Sequence, residues 1–179
     1  MPSCKRLMSS IAILLAIFIA SPTRAGDFKE DNSKITIHAP DGWKKSEEKE
    51  TEAVMKLTLQ KGVPEKSDDY YVLKIGHVVI DEDATVEQFK DGMIKSFPAD
   101  WKSLGVTKVT VGTDKLPALC ISYSFLTSGI PFRMDMYLFR RGRQFTFFQF
   151  VGTEKAYDGL HDELHKIVAD AEITSADSK

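Results

Sequence analysis

Three features of the 179-residue sequence predict an α+β fold, with an antiparallel β-sheet of six to seven strands sandwiched between helices. Residues 117–151 form three alternating segments separated by tight turns, the pattern of consecutive antiparallel strands. The last of these segments, 144–151, is apolar on both faces, which is typical of a strand covered on both sides. Residues 85–97 and 153–171 carry apolar side chains at helical spacing, so they are expected to supply the covering layers.

The first half of the chain predicts three strands and a helix. Residues 34–39 alternate as a strand and end at the turn Pro40-Asp-Gly-Trp43, whose Trp43 is expected to pack on the core. Strands over 53–59 and 70–80 follow, joined by a polar connection. The helix is predicted to begin at Thr85, because Gln88 follows at capping-box spacing. Its apolar stripe consists of Val86, Phe89, Met93 and Phe97.

The second half predicts four strands and the closing helix. The strands cover residues 106–111, 119–125, 132–139 and 144–151, and the helix runs from Thr153 to about Ala171. Because side chains alternate along a strand, the last strand divides its apolar residues between two faces. Phe145, Phe147 and Val151 share one face, and Phe148 and Phe150 share the other.

The start of the sequence has the pattern of a cleavable secretory signal over residues 1–25. Lys5 and Arg6 precede an apolar stretch of about ten residues, too short to span a bilayer, and small residues precede a cleavage point after Ala25. Residues 26–33 are expected to be a flexible lead-in, 34–173 a single domain and 174–179 a polar tail. We therefore expect a periplasmic protein, exported by the general secretory route, with no stable membrane span after cleavage.

Charge and cysteine content exclude some classes of function. The signal holds three basic residues and no acid, so the mature chain carries 21 basic and 26 acidic residues. A mildly acidic chain is not suited to binding nucleic acid by bulk charge. Cys120 is the only cysteine of the mature chain and is expected to be a buried apolar residue inside a strand. No motif for a cofactor is recognisable, and none is predicted.

His161 and His165 are the weak candidates for a metal site. They lie four residues apart in the closing helix, on the flank of its apolar stripe, and could share a metal ion as in the zinc-protease helix. That motif requires Glu after the first histidine, where this sequence has Asp162. A catalytic zinc also needs a third protein ligand, and nothing ties His38 or His77 to this helix. Surface histidines are the simpler interpretation.

Arg140, Arg141 and Arg143 are the candidate partner-binding residues. They form a basic turn between two strands of an otherwise acidic mature chain. Phe139 and Phe145 flank the turn, as aromatic residues do in RNA-binding proteins, but their alternation assigns them to the core and export removes the RNA. A basic hairpin tip of this kind could dock an acidic partner.

The order and spacing of these elements resemble the PsbP-like superfamily, which includes the photosystem PsbP proteins, the bacterial DcrB proteins and a nuclear Ran-binding factor. The resemblance covers about residues 34–173. It rests on the Pro40-Asp-Gly-Trp43 turn, the middle helix with Phe89 and Met93, and the Arg140-Arg-Gly-Arg143 turn and Phe-rich strand that precede the closing helix. It implies an α/β/α sandwich with an antiparallel sheet, and non-enzymatic roles in binding or assembling other proteins. It supplies no site residues for this sequence.

Together these patterns indicate an exported, non-enzymatic protein that acts by binding or assembly in the cell envelope. Its partner would be another envelope protein. One alternative is a periplasmic immunity protein that neutralises a toxin. The other is a metal-dependent hydrolase that uses His161 and His165.

Overall fold

A computed structural model describes residues 24–46, 55–62, 70–80 and 83–174. The first strands are β1 (Arg24–Glu30), β2 (Ile35–Pro40), β3 (Trp43–Lys45), β4 (Met55–Lys61) and β5 (Tyr71–Val79), followed by helix α1 (Val86–Ile94). The second half holds β6 (Lys102–Val111), β7 (Leu116–Thr127), β8 (Ile130–Arg141), β9 (Gln144–Thr153), helix α2 (Glu154–Asp170) and β10 (Glu172–Ile173). The predicted signal segment before residue 24, the connections 47–54 and 63–69, and the tail after residue 174 lie outside the described residues.

Seven strands form one antiparallel sheet in the order β3-β4-β5-β9-β8-β7-β6. β9 lies between β5 and β8, and its nine-residue register with β5 runs from Tyr71 opposite Gly152 to Val79 opposite Gln144. The predicted α+β class with an antiparallel sheet is confirmed.

A second sheet of three strands, in the order β1-β2-β10, was not predicted. Both β1 and β10 pair antiparallel with β2, which the sequence placed in the main sheet. The prediction of a flexible lead-in over residues 26–33 is wrong, because Gly26–Glu30 pair with β2 and both Glu30 and Ser33 are buried. Backbone pairing and the Glu30 carboxylate, which accepts from the Ser33 amide, order this polar stretch.

The main sheet is covered on both faces, and β9 divides its phenylalanines between them as the alternation predicts. Phe148 and Phe150 belong to the larger core, together with α2 and the three-stranded sheet. Phe145 and Phe147 belong to the smaller core, under α1 and the loop that follows it. The Phe145 ring stacks on Phe89 of α1, with 4.4 Å between centroids.

Both helices begin at the predicted caps. The Thr85 hydroxyl accepts from the Gln88 amide, and the Gln88 side chain accepts from the Thr85 amide, which completes the capping box. Thr153 caps α2 by accepting from the amide of Ala156. Neither helix of the described chain is long and apolar enough to cross a membrane.

Candidate functional site

The three arginines of the β8–β9 turn do not converge on one surface. Arg140 donates to the carbonyl of Ala84 at 2.6 Å and to the carboxylate of Asp83 at 2.9 Å, so it holds the start of α1 against the turn. Arg143 donates from Nε to the carbonyl of Ile80 at 3.4 Å. Both side chains therefore contact the segment before α1. That Arg140 and Arg143 bind a partner stays a prediction.

Arg141 points to the opposite face and joins distant parts of the chain. It donates to the carbonyl of Thr174 at 2.6 Å, to that of Ser33 at 2.7 Å, and to the side chain of Gln144 at 3.0 Å. Burial lowers the pKa of its guanidinium below its ordinary value, while Glu30 nearby opposes that shift. Arg141 therefore supports the three-stranded sheet, and reversing its charge would disturb the fold as well as any surface.

His161 and His165 do come together, and β8 contributes a third group. Their Nε2 atoms lie 3.0 Å apart. On the far side of each ring, Nδ1 of His165 lies 2.9 Å from the Tyr137 hydroxyl and Nδ1 of His161 lies 3.2 Å from the Asp162 carboxylate. The described residues hold no group of three or more His, Cys, Asp or Glu side chains suited to one metal ion. Within the described part of the chain, the two histidines therefore come together without the third ligand that the predicted hydrolase needs.

Beneath α2 lies a buried polar cluster that the sequence reasoning missed. Asp135 of β8 is only 3% exposed, and the Tyr157 hydroxyl donates to its Oδ2. The Arg133 guanidinium stacks on the Tyr157 ring, 3.9 Å from its centroid, and its Nε lies 3.5 Å from Oδ1 of Asp135. Burial, followed by the bond to Asp135, raises the pKa of Tyr157 above its ordinary 10.0, so the phenol remains a donor. The carboxylate is enclosed, which suits a structural role and not catalysis.

Cys120 is buried as predicted and carries no sign of a nucleophile. It is 6% exposed, and burial, with the nearby Asp135 carboxylate, raises the pKa of its thiol to about 11. Since the thiolate is the reactive form, this thiol is inert at neutral pH.

Exposed apolar side chains gather at the outer edge of the main sheet, in a region that we call the apolar corner. We use this name for β6, the end of the β7–β8 hairpin and the residues before β6. Trp101 stacks on Phe125 with 4.3 Å between centroids, and Phe125 stacks on Phe132 at 5.8 Å. Among the described residues, four of the five exposed large hydrophobic side chains lie here. They are Leu104, Val106, Leu126 and Ile130, which are 45%, 42%, 69% and 40% exposed.

The sequence could not locate this corner, because exposure depends on where the covering layers end. The α1 layer reaches Tyr123, against which Phe97 packs edge to face, with ring centroids 5.2 Å apart. The hairpin continues beyond it to the turn at Ser128–Gly129, so Leu126 and Ile130 have nothing above them among the described residues. A run of apolar residues in a long hairpin was the only available signal.

The sequence matches no protein family model and no curated protein. Solved structures do match. LpqN, involved in cell envelope biogenesis of Mycobacterium tuberculosis, aligns with a TM-score of 0.61 at 18% identity, over 79% of this chain and 83% of that protein. Cyanobacterial PsbP from Synechocystis aligns with a TM-score of 0.61 at 10% identity, over 83% and 92%.

A third similar structure is the Ran-binding protein Mog1p of Saccharomyces cerevisiae, with a TM-score of 0.56 at 11% identity, over 84% of this chain and 95% of that protein. At these identities the likeness concerns the fold, and it agrees with the resemblance deduced from the sequence. The chain therefore has the PsbP-like fold.

Proposed function

We propose that this chain is an exported, non-enzymatic protein of the cell envelope that binds another envelope protein through its apolar corner. The observation that carries the proposal is the concentration of exposed hydrophobic side chains there. Val106 and Ile130 lie on the α1 side of the sheet and Leu126 on the opposite side, so the corner wraps around the end of the hairpin. Exposed apolar surface gathered in one place is commonly used to bind a partner. Aromatic residues such as Trp101, Phe125 and Phe132, which stack beside these side chains, are also enriched at interfaces.

The edge strand β6 favours contact through side chains over addition of a partner strand. β6 pairs only with β7, so its outer edge is unpaired within the described sheet. A bulge between Ser103 and Gly105, where Gly105 has φ +131°, interrupts this edge. Lys102 and Lys108 flank the bulge. Bulges and lysines are the common devices that block pairing between edge strands.

The roles of two proteins with the same fold agree with this proposal. LpqN is described as involved in cell envelope biogenesis, and Mog1p as a Ran-binding protein. The periplasmic location is part of this proposal, and it is based on the secretory signal predicted over residues 1–25.

The test is capture of partners by the mature protein from its own cell envelope, after mild crosslinking and identification by mass spectrometry. We expect Leu126→Asp combined with Ile130→Asp to abolish capture of the main partner, because both side chains are exposed and their replacement leaves the core intact. Val79→Asp is the matched control. Val79 is 62% exposed but lies at the opposite end of the sheet, so its replacement is expected to leave capture unchanged.

Two results would contradict the proposal. Capture that survives the double substitution would show that the corner is not the contact surface. Loss of capture on Arg140→Glu or Arg143→Glu, with the corner variant still active, would move the contact to the β8–β9 turn. Circular dichroism of each variant ensures that a folded protein is compared. The identity of the partner then separates an assembly role from immunity against a toxin.

A further inference from the structure

The imidazoles of His161 and His165 lie side by side and are joined by a hydrogen bond. Their Nε2 atoms face each other at 3.0 Å, while both Nδ1 atoms face away from the pair. In metal sites a ligating histidine binds through one ring nitrogen, and the other ring nitrogen donates to a carboxylate or another oxygen, which orients the ring. Asp162 and the Tyr137 hydroxyl stand in those outer positions here.

The 3.0 Å between the two nitrogens is the length of a hydrogen bond, and it is close to the separation of two neighbouring ligands on one metal ion. With metal–nitrogen bonds of about 2.0–2.1 Å, nitrogens held 3.0 Å apart subtend roughly 95° at the metal. Tetrahedral coordination would require a wider separation. An angle near 90° fits two neighbouring positions of a tetragonal complex, the geometry that Cu²⁺ and Ni²⁺ prefer with nitrogen and oxygen ligands.

The hydrogen bonds favour the tautomer of His161 in which Nε2 is free of a proton and can bind a metal. The Asp162 carboxylate can only accept, so Nδ1 of His161 carries the proton and Nε2 presents its lone pair. His165 then donates from Nε2 to His161, and its Nδ1 accepts from the Tyr137 hydroxyl. Binding a metal would require that His165 lose the proton at Nε2 and carry one at Nδ1 instead, and that the Tyr137 hydroxyl turn its own proton away so that its oxygen accepts from Nδ1.

The charges around His161 and His165, and the exposure of these side chains to solvent, also allow a cation to bind. Besides the Tyr137 hydroxyl, the groups that act on His165 are Asp135 and Arg133 from β8, and His161 and Asp162 from α2. Two carboxylates thus offset the one guanidinium. The His161 side chain is 47% exposed and lines a cleft of about 330 Å³, and His165 is exposed as well, so solvent reaches both imidazoles.

We propose that His161 and His165 form a chelating site for a divalent transition metal of the Cu²⁺ class, with water in the remaining positions. The site is independent of the apolar corner and does not require catalysis. It uses the two histidines that the sequence singled out, without the third protein ligand that a hydrolase needs.

The experiment is titration of the mature protein, carrying no histidine tag, with Cu²⁺ alone at pH 7.5, followed by electron paramagnetic resonance and by competition with a chelator of known affinity. We expect one Cu²⁺ bound with two imidazole nitrogens. Removal of an outer-shell partner commonly costs roughly 10–100-fold in metal affinity. Loss of a ligand in His161→Ala or His165→Ala is therefore expected to weaken binding at least ~10-fold.

His38→Ala is the matched control, because His38 lies in β2 and interacts with Asp27 and Glu172, away from the pair. It is expected to leave the affinity and the two-nitrogen spectrum unchanged. Wild-type affinity in both His161→Ala and His165→Ala would overturn the proposal, as would a spectrum with fewer than two imidazoles. An equal loss in His38→Ala would show unspecific binding to surface histidines and would also overturn it.

Discussion

Replacing Tyr157 with Phe removes one hydroxyl and leaves a buried carboxylate without its donor. That hydroxyl donates to Oδ2 of Asp135, which is 3% exposed. Arg133 compensates only in part, because its Nε lies 3.5 Å from the other carboxylate oxygen, too far for a strong hydrogen bond. Hydrogen bonds to charged groups contribute about 1.5–3 kcal/mol. We therefore expect Tyr157→Phe to lower the free energy of unfolding by that amount.

Tyr137→Phe is the matched control, since it removes the same atom from the neighbouring cluster. The Tyr137 hydroxyl lies 2.9 Å from Nδ1 of His165, an exposed imidazole that water can also reach. A neutral hydrogen bond replaced by one to water costs less, so we expect a loss of no more than about 1 kcal/mol.

The measurement is urea unfolding of both variants and the wild type at pH 7, followed by the fluorescence of Trp43 and Trp101. Equal slopes against denaturant would show that the same surface is exposed on unfolding, so that the midpoints report stability. If the two variants lose equal stability, or if Tyr157→Phe loses under about 0.5 kcal/mol, the burial of Asp135 does not depend on this bond.

Three further predictions concern other parts of the fold. Gly152→Ala should destabilise by about 1–3 kcal/mol in the same assay, because a Cβ there would overlap the buried ring of Tyr71. The Cys120 thiol should react with a thiol reagent only as fast as the protein unfolds, and prompt reaction in buffer would contradict its burial. Partial burial lowers the pKa of His77 below the ordinary 6.5, and partial burial together with the neighbouring His161 does the same for His165, so the unfolded chain binds more protons. Their contribution to stability should be complete above pH 6.5 and lost as the pH falls through that value toward the lowered pKa, and His77→Gln should flatten this dependence in thermal unfolding.

Local sequence patterns were sufficient to predict the character of β9, the start of α1 and the packing of Trp43. The two-faced character of β9 follows from the period of a strand, and the start of α1 follows from the spacing of Thr85 and Gln88. Trp43 also packs on the core as its turn suggests, at 4% exposed. Each of these depends on residues within a few positions of one another.

The second sheet depends on contacts that no local pattern records. β1 has a polar sequence, RAGDFKE, and becomes a strand because β2 lies beside it. β10 is only two residues long and pairs with β2 from the far end of the domain. Tertiary context outweighed local composition at both places.

The candidate sites were predictable only in part for the same reason. The i, i+4 spacing brings His161 and His165 together, but only the structure shows the Tyr137 hydroxyl that reaches them from β8. The arginines of the turn are basic in sequence, yet Arg140 and Arg141 alternate to opposite faces and are bound by different carbonyls. Asp135 carried a signal that could have been used, since a charged residue in a strand covered on both faces requires a partner.

The position of β10 has a consequence for how the chain folds. β10 pairs with β2 and so joins the end of the domain to its beginning. Arg141 also donates to the carbonyl of Ser33, which lies 108 positions earlier in the chain. Contacts so distant in sequence form slowly, because a long loop must close first. A chain that crosses a membrane from its N-terminus could complete the smaller sheet only after its last turn had emerged. On the proposed export route, the smaller sheet would therefore be completed only on the far side of the membrane.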